Sequence, residues 1–276
     1  MGLTITDEEQ KSILLSILES IDARCKKKKY TYWLFWGTLL GVIRHKGMIP
    51  WDDDIDIAMP RKDYEAFKAD ILNNPLAENI VFVDREHPVK GFYPNSFGKI
   101  GRSDTVIKYP GYGNEYETIV SIDVFPMDGI PEDLIERNNL ADRLDEMTDG
   151  INRCVFMPNR EERSAVRYAL ALLRRRLRLI FLYKKRLKEK NSIIESFYKF
   201  NESAYCGFPS NINVRGRRLV FRKEWFKTVY MEFEGGMWPV PAGYDDILEI
   251  VFPDYMKLPP EEERVSHHDY SSVEWR

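Results

Sequence analysis

The sequence predicts a mixed α/β catalytic core over residues 30–130, with helical additions after it. Three observations predict this class. Short apolar segments of strand length fill the stretch from Tyr30 to Phe125, the pattern turns helical from Pro131 to about Tyr205, and short strands return after Gly207. A chain of 276 residues suits one large domain or two small ones. Our reading is a core with its N-terminal helix at 1–130, and a helical region with C-terminal strands and tail at 131–276 packed back on it, as one integrated domain.

The first helix is expected over 7–28, where Asp7, Glu8 and Glu9 precede Ile13, Leu14, Ile17, Leu18 and Ile21 at helical spacing. Acids at its start and Lys26–Lys29 at its end both suit the helix dipole. The aromatic run Tyr30–Trp36 reads as a buried strand that stops at Gly37, and 38–47 as a short helix closed by Gly47. Ile55, Ile57 and Met59 alternate with Asp54, Asp56 and Ala58, the period of a strand with one polar face. Pro60 then precedes a helix over 61–74. Further strands are expected at Ile80–Val83, Ser96–Ile100, Thr105–Lys108 and Thr118–Phe125, separated by glycine and proline. One long basic helical segment is expected at 161–190, a turn at Glu234-Gly235-Gly236, and a last helix near 243–251.

Composition removes several classes of function. Forty-one Lys and Arg against 44 Asp and Glu leave a net charge of −3, the wrong balance for a protein that neutralises nucleic-acid phosphates. Cys25, Cys154 and Cys206 are far apart and lack metal or redox spacing, so they read as reduced thiols in a cytoplasmic protein. The acidic start lacks the order of a signal peptide, and no apolar run approaches the ~20 residues of a membrane span. Gly2 with Thr6 fits the loose myristoylation pattern, but a plain N-terminus is the commoner case.

The chemistry concentrates in Ile49-Pro50-Trp51-Asp52-Asp53-Asp54-Ile55-Asp56. Residues two apart on a strand lie about 6.6 Å from each other on one side, so Asp54 and Asp56 are expected to share a face. Two carboxylates ~4 Å apart repel by about 4 kcal/mol at an effective dielectric near 20. Such crowding calls for a shared proton or a divalent cation, and oxygen-only ligands favour Mg²⁺ or Mn²⁺. Asp123 stands alone among apolar residues in Ile119–Phe125, and a neighbouring strand bearing Asp54 and Asp56 would give it a partner through the same ion. Gly37-Thr38, between strand and helix, offers backbone N–H groups and a hydroxyl to an anion. Together these features follow the logic of metal-assisted phosphoryl transfer. The competing reading makes Asp52–Asp56 a solvated turn, though exposed turns do not usually alternate acids with isoleucine.

These residues resemble the LicD family, to which fukutin and fukutin-related protein are related. The matching stretches are Gly37-Thr38-Leu39-Leu40-Gly41, Arg44-His45-Lys46-Gly47, Ile49 through Asp56, Ile122-Asp123-Val124-Phe125-Pro126-Met127-Asp128-Gly129, and the C-terminal Asp254–Pro260 with Arg264-Val265-Ser266-His267-His268. The resemblance implies a nucleotidyltransferase-like mixed sheet with metal-binding acids on two adjacent strands. It further implies transfer of a phosphorylated alcohol, phosphocholine foremost, from a CDP-activated donor such as CDP-choline to a hydroxyl of a cell-surface glycan or its lipid-linked precursor, with release of CMP. By position, Asp54, Asp56 and Asp123 would hold Mg²⁺ or Mn²⁺, with Asp52 as an auxiliary ligand. Gly37 and Thr38 would meet the phosphates, Arg44 and Lys99 would add cationic contacts, and His267 would touch substrate. Asp123 is the acid best placed to accept the acceptor's proton. One rival, a nucleotidyltransferase proper that releases pyrophosphate, uses the same acids; the intact Asp54, Asp56 and Asp123 argue against the other, a catalytically silent glycan- or lipid-binding module.

Three further features admit two readings each. Trp51 offers a ring to a base or a cationic choline, whereas Trp33 and Trp36, in the apolar run, read as core. His45 either orients the loop before the acids or is a helix-end histidine favoured by the dipole. Val166, Leu170, Leu173, Leu177 and Ile180 form a helical stripe opposite a densely basic face. That pattern suits either a core-packed helix with a solvated face or, over 166–188, a helix resting on anionic lipid at the inner face of a membrane.

Overall fold

The computed structural model describes residues 3–111, 116–161, 163–195, 200–208, 213–214, 217–266 and 270–276. Seven helices are present among them: α1 (Asp7–Lys28), α2 (Trp36–His45), α3 (Arg61–Asn73), α4 (Leu134–Val155), α5 (Ala165–Phe181), α6 (Tyr183–Glu195) and α7 (Tyr244–Val251). The strands of the first half are β1 (Trp33–Leu34), β2 (Asp56–Pro60), β3 (Ile80–Val83), β4 (Lys90–Gly91), β5 (Gly98–Arg102), β6 (Thr105–Lys108), β7 (Tyr116–Thr118) and β8 (Ser121–Ile130). Those of the second half are β9 (Tyr205–Gly207), β10 (Asn213–Val214), β11 (Arg217–Arg218), β12 (Val220–Arg222), β13 (Thr228–Phe233), β14 (Gly236–Pro241) and β15 (Ser272–Trp275). The fold is mixed α/β, as the sequence predicts.

α1 starts where its cap dictates. The Thr6 hydroxyl accepts the Glu9 N–H at 3.2 Å and the Glu9 carboxylate accepts the Thr6 N–H at 2.8 Å, a reciprocal capping box. Lys29, at φ 62°, ends the helix in the left-handed region. Its apolar face, Leu14, Ile17, Leu18 and Ile21, is buried in the main core.

The central sheet runs β1-β2-β8-β5-β3, and β9 pairs with the far end of β8 and with β12. β2 and β8 are parallel, and the other pairings described in this sheet are antiparallel. β8 is buried along all ten residues because it has partners on both edges. Pro126 has no N–H to donate and interrupts nothing. It falls between Val124, where β5 stops pairing, and Asp128, where β9 begins. A second sheet, β15-β6-β7-β4, brings the C-terminal segment beside the N-terminal one, where the Ile5 N–H donates to the Val273 carbonyl at 3.0 Å. The main core draws side chains from Ile5 to Val273, and two smaller clusters join α4 and α6 to it.

Several boundaries depart from the sequence pattern, each for a packing reason. Only Trp33–Leu34 of the run Tyr30–Trp36 pairs as a strand. The remaining apolarity serves ring packing, with fully buried Phe35 against Phe208, Phe221 and Phe226. α2 therefore opens at Trp36 rather than at residue 38. The strand expected at Thr118–Phe125 divides into β7 and β8, which belong to different sheets, and β8 continues to Ile130. The long basic segment is two helices, α5 and α6, separated at Leu182. Tyr183 there turns inward onto Phe92, and its hydroxyl donates to the Tyr93 carbonyl.

Candidate active site

Sheet register assembles the charged centre. Asp56 opens β2 and is the Cα partner of Asp123 on parallel β8, while Asp123 is in turn the partner of Lys99 on β5. Residues in register on adjacent strands point to the same side, so carboxylate, carboxylate and ammonium form a row across three strands. The Asp123 N–H donates to the Ile55 carbonyl at 2.9 Å, and the Lys99 ammonium pairs directly with the Asp123 carboxylate. Asp54 lies just outside this ladder, in the loop before β2, and not on the strand face the alternation suggested. Asp54 and Asp52 add to the negative field at Asp56, and the loop acids whose oxygens lie close together are Asp52, Asp53 and Asp54.

α2 closes the site from one side. The buried Thr38 hydroxyl accepts the Asp56 N–H at 2.8 Å, and the Asp56 carbonyl accepts the Phe35 N–H at 3.0 Å. The first turn of α2 and the first residue of β2 are thereby held together. Gly37 makes room for an acid: a Cβ there would lie 2.7 Å from Oδ2 of Asp52. The Asp52 carboxylate thus rests against a helix N-terminus, where the dipole favours negative charge. Trp36 sits at φ 48°, in the left-handed region that bulky residues avoid, wedged among Phe35, Phe125 and Phe208. Its indole Nε1 is buried without a hydrogen-bond partner among the described residues. Strain of this kind persists only where the surroundings over-determine it.

Burial pushes the Asp56 carboxyl well above the usual carboxylate range, and Asp54, Asp123 and Asp52 push it further, against the opposing pull of Lys99. Burial alone would lower Lys99, but Asp123 first, then Tyr116 and Tyr109, hold it above its ordinary value. At Asp56, three neighbouring carboxylates act against one lysine. An oxygen-only set with surplus negative charge fits Mg²⁺ or Mn²⁺. Carboxylate oxygens of Asp52, Asp53 and Asp54 also lie within 4.8 Å of one another.

Other residues picked out in the sequence stand elsewhere. Arg44 is in the last turn of α2, at the end away from the acids, and donates to the Tyr255 carbonyl at 2.9 Å. His45 is held below its usual value by burial and by Arg44, and its ring meets Trp51 edge-on. The Arg264 guanidinium stands over the Trp51 ring, 5.8 Å from its centre. Trp33 is core, with its indole N–H on the Thr228 hydroxyl at 3.0 Å. His267 lies outside the described residues.

Two contributors went unread in the sequence. Asp53 accepts the Tyr270 hydroxyl at 2.6 Å and the Ser266 hydroxyl at 3.0 Å, while its carbonyl accepts Nε2 of Gln10 at 2.9 Å. It ties the acidic loop to α1 and to the C-terminal tail. Glu234, in the β13–β14 turn, accepts the Met48 N–H at 2.8 Å and pairs with Lys11 at 2.7 Å, fixing the loop after α2. No local pattern marks it. A second acidic group, Asp84, Glu86 and His87, is a turn: one Asp84 oxygen accepts the Glu86 and His87 N–H groups, both at 2.9 Å, and the other meets Lys68.

Comparison with known proteins agrees with this geometry. Residues 29–129 match the family model described as LicD/FKTN/FKRP, nucleotidyltransferase domain, a span that includes all the acids of the site and Lys99. The chain is 29% identical over 265 residues to the lipopolysaccharide cholinephosphotransferase LicD of Haemophilus influenzae, covering 96% of each protein. It also resembles uncharacterized proteins of Rickettsia prowazekii (34% over 70 residues, 22% of this chain and 26% of that one) and Rickettsia typhi (39% over 56 residues, 20% and 18%). With Asp56 on β2, Asp123 on β8 and the acidic loop all inside the matched span, and similarity to the Haemophilus protein running nearly end to end, the chain is similar to the LicD family.

Proposed function

We propose that this protein transfers phosphocholine from CDP-choline to a hydroxyl of a cell-surface glycan or its lipid-linked precursor, releasing CMP. The observation that carries this reading is the row Asp56–Asp123–Lys99 across adjacent strands, with the negative charge of Asp54 and Asp52 felt at Asp56. The named activity of the Haemophilus relative supports the choice of phosphocholine and of a lipopolysaccharide-type acceptor.

Asp54, Asp56 and Asp123 would hold Mg²⁺ or Mn²⁺, with Asp52 beside them. A cation bound there would offset the charge that builds on the departing CMP. The protein's own groups do the rest. The N-terminal N–H groups of α2 at Gly37 and Thr38 receive donor phosphate oxygens, as helix starts commonly do. Lys99 fixes the Asp123 carboxylate toward the site, where it accepts the proton of the attacking hydroxyl. The Thr38–Asp56 hydrogen bond keeps donor-binding and cation-binding groups in one frame.

Asp54→Asn and Asp56→Asn are expected to lower Mg²⁺-dependent CMP release by about a hundredfold or more, since several kcal/mol of charge stabilisation disappear. Melting temperatures should stay near the parent's. Full activity in either variant overturns the site. Pyrophosphate in place of CMP among the products would assign a nucleotidyltransferase proper, and no calorimetric Mg²⁺ binding would assign a silent module.

A further inference from the structure

α5 is built the wrong way round for a helix that belongs to a core. Val166, Leu170, Leu173, Leu177, Ile180 and Phe181 are 46–72% exposed, whereas the one side chain α5 buries is Arg175. Arg175 faces the protein and donates to the Val155 carbonyl through Nε at 3.0 Å and Nη2 at 2.8 Å. At 3.6 residues per turn the six exposed apolar residues fall within an arc of about 100°. Arg167, Arg174 and Arg178 border one edge of that arc and Arg176 the other. The helix carries five arginines and no acid, in a chain whose net charge is −3.

A groove of about 1040 Å³ between the end of α4 and α5 opens along the same edge, lined among others by Arg153, Arg163, Arg167, Arg174 and Arg178. Asp149 is the acid that faces these cations from the groove wall. An apolar stripe bordered by guanidinium groups matches a surface that is greasy below and anionic above. A second copy of the chain would instead set arginine edge against arginine edge.

We propose that α5 lies in the headgroup layer of an anionic bilayer, with its stripe against the acyl boundary and the arginine groove on lipid phosphates. With five arginines in 17 residues it rests along the surface rather than crossing it. The inference goes beyond the phosphotransfer reading and stands without it, because none of these residues belongs to the acidic site. If both hold, a lipid-linked acceptor meets the enzyme on the membrane.

The test is sedimentation of the full chain with phosphatidylglycerol or phosphatidylcholine vesicles. The parent should bind the anionic vesicles, lose affinity as salt rises, and bind the zwitterionic ones far less. Arg167→Glu/Arg174→Glu/Arg178→Glu should weaken binding by about a hundredfold. Leu170→Asn/Leu173→Asn/Leu177→Asn should weaken it comparably, with both variants keeping parental circular dichroism because the altered side chains are exposed. No binding of the parent to phosphatidylglycerol, or parental binding by the charge-reversed variant, overturns the proposal. So does a concentration-dependent dimer abolished by the asparagine variant, which would give the stripe to a second copy. CMP release in solution is measured alongside, so that failure here is distinguishable from failure of the active-site reading.

Discussion

Gly37 and Asp52 show how little space the acidic site leaves. A methyl group at residue 37 would stand 2.7 Å from the Asp52 carboxylate, inside any normal contact distance. Gly37→Ala should therefore displace Asp52 or the start of α2, at a stability cost of about 1–3 kcal/mol. The expected signature is weakened Mg²⁺ binding by calorimetry together with a lower kcat, while an alanine variant with parental values would show that Asp52 has room to move. Not every residue of the site was equally legible. Asp54, Asp56 and Asp123 announced themselves by acid–apolar alternation and by a lone acid in an apolar strand. Lys99 looked like any lysine near a strand end, because only the β5–β8 register reveals its partner. Asp53 was hidden by its own neighbours, and its attachment to Tyr270 spans more than two hundred residues.

At the scale of elements, the joint between α2 and β2 is the part most open to test. The Asp56 N–H has the Thr38 hydroxyl as its acceptor in a buried setting. Thr38→Val keeps the shape and removes the acceptor, which should cost about 1–3 kcal/mol of stability in a urea melt. Thr38→Ser should restore most of it, and equal stability of the two variants would show that the bond carries nothing. Helix boundaries followed the sequence well where local chemistry sets them, as with the Thr6–Glu9 box of α1. They followed it poorly where packing decides. The aromatic run before Gly37 fits a strand on periodicity alone, yet its rings are spent on Phe208, Phe221 and Phe226, which lie far along the chain. α5 carries the same lesson from the opposite side. Its stripe has helical spacing whether or not it faces a core, and only its exposure in the fold shows that it does not.

For the molecule as a whole, charge is segregated rather than balanced. Acids gather at the start of β2 and on β8, arginines on α5, and the small net charge of −3 conceals both. The two halves of the acidic site also differ in mechanical character. Asp123 stands on a strand buried over its whole length and paired on both edges, whereas Asp52 and Asp54 stand on a loop fastened through Asp53 to α1 and to the tail. One wall is set by strand register and the other by a loop tied at Asp53. Amide hydrogen exchange should accordingly be slowest across 121–130 and faster at 52–55, and added Mg²⁺ should slow the second set while leaving the first unchanged. Because the sheet holds Asp123 while the tail holds Asp53, a change in the C-terminal segment would be felt at the acids of the loop before it reached the strand.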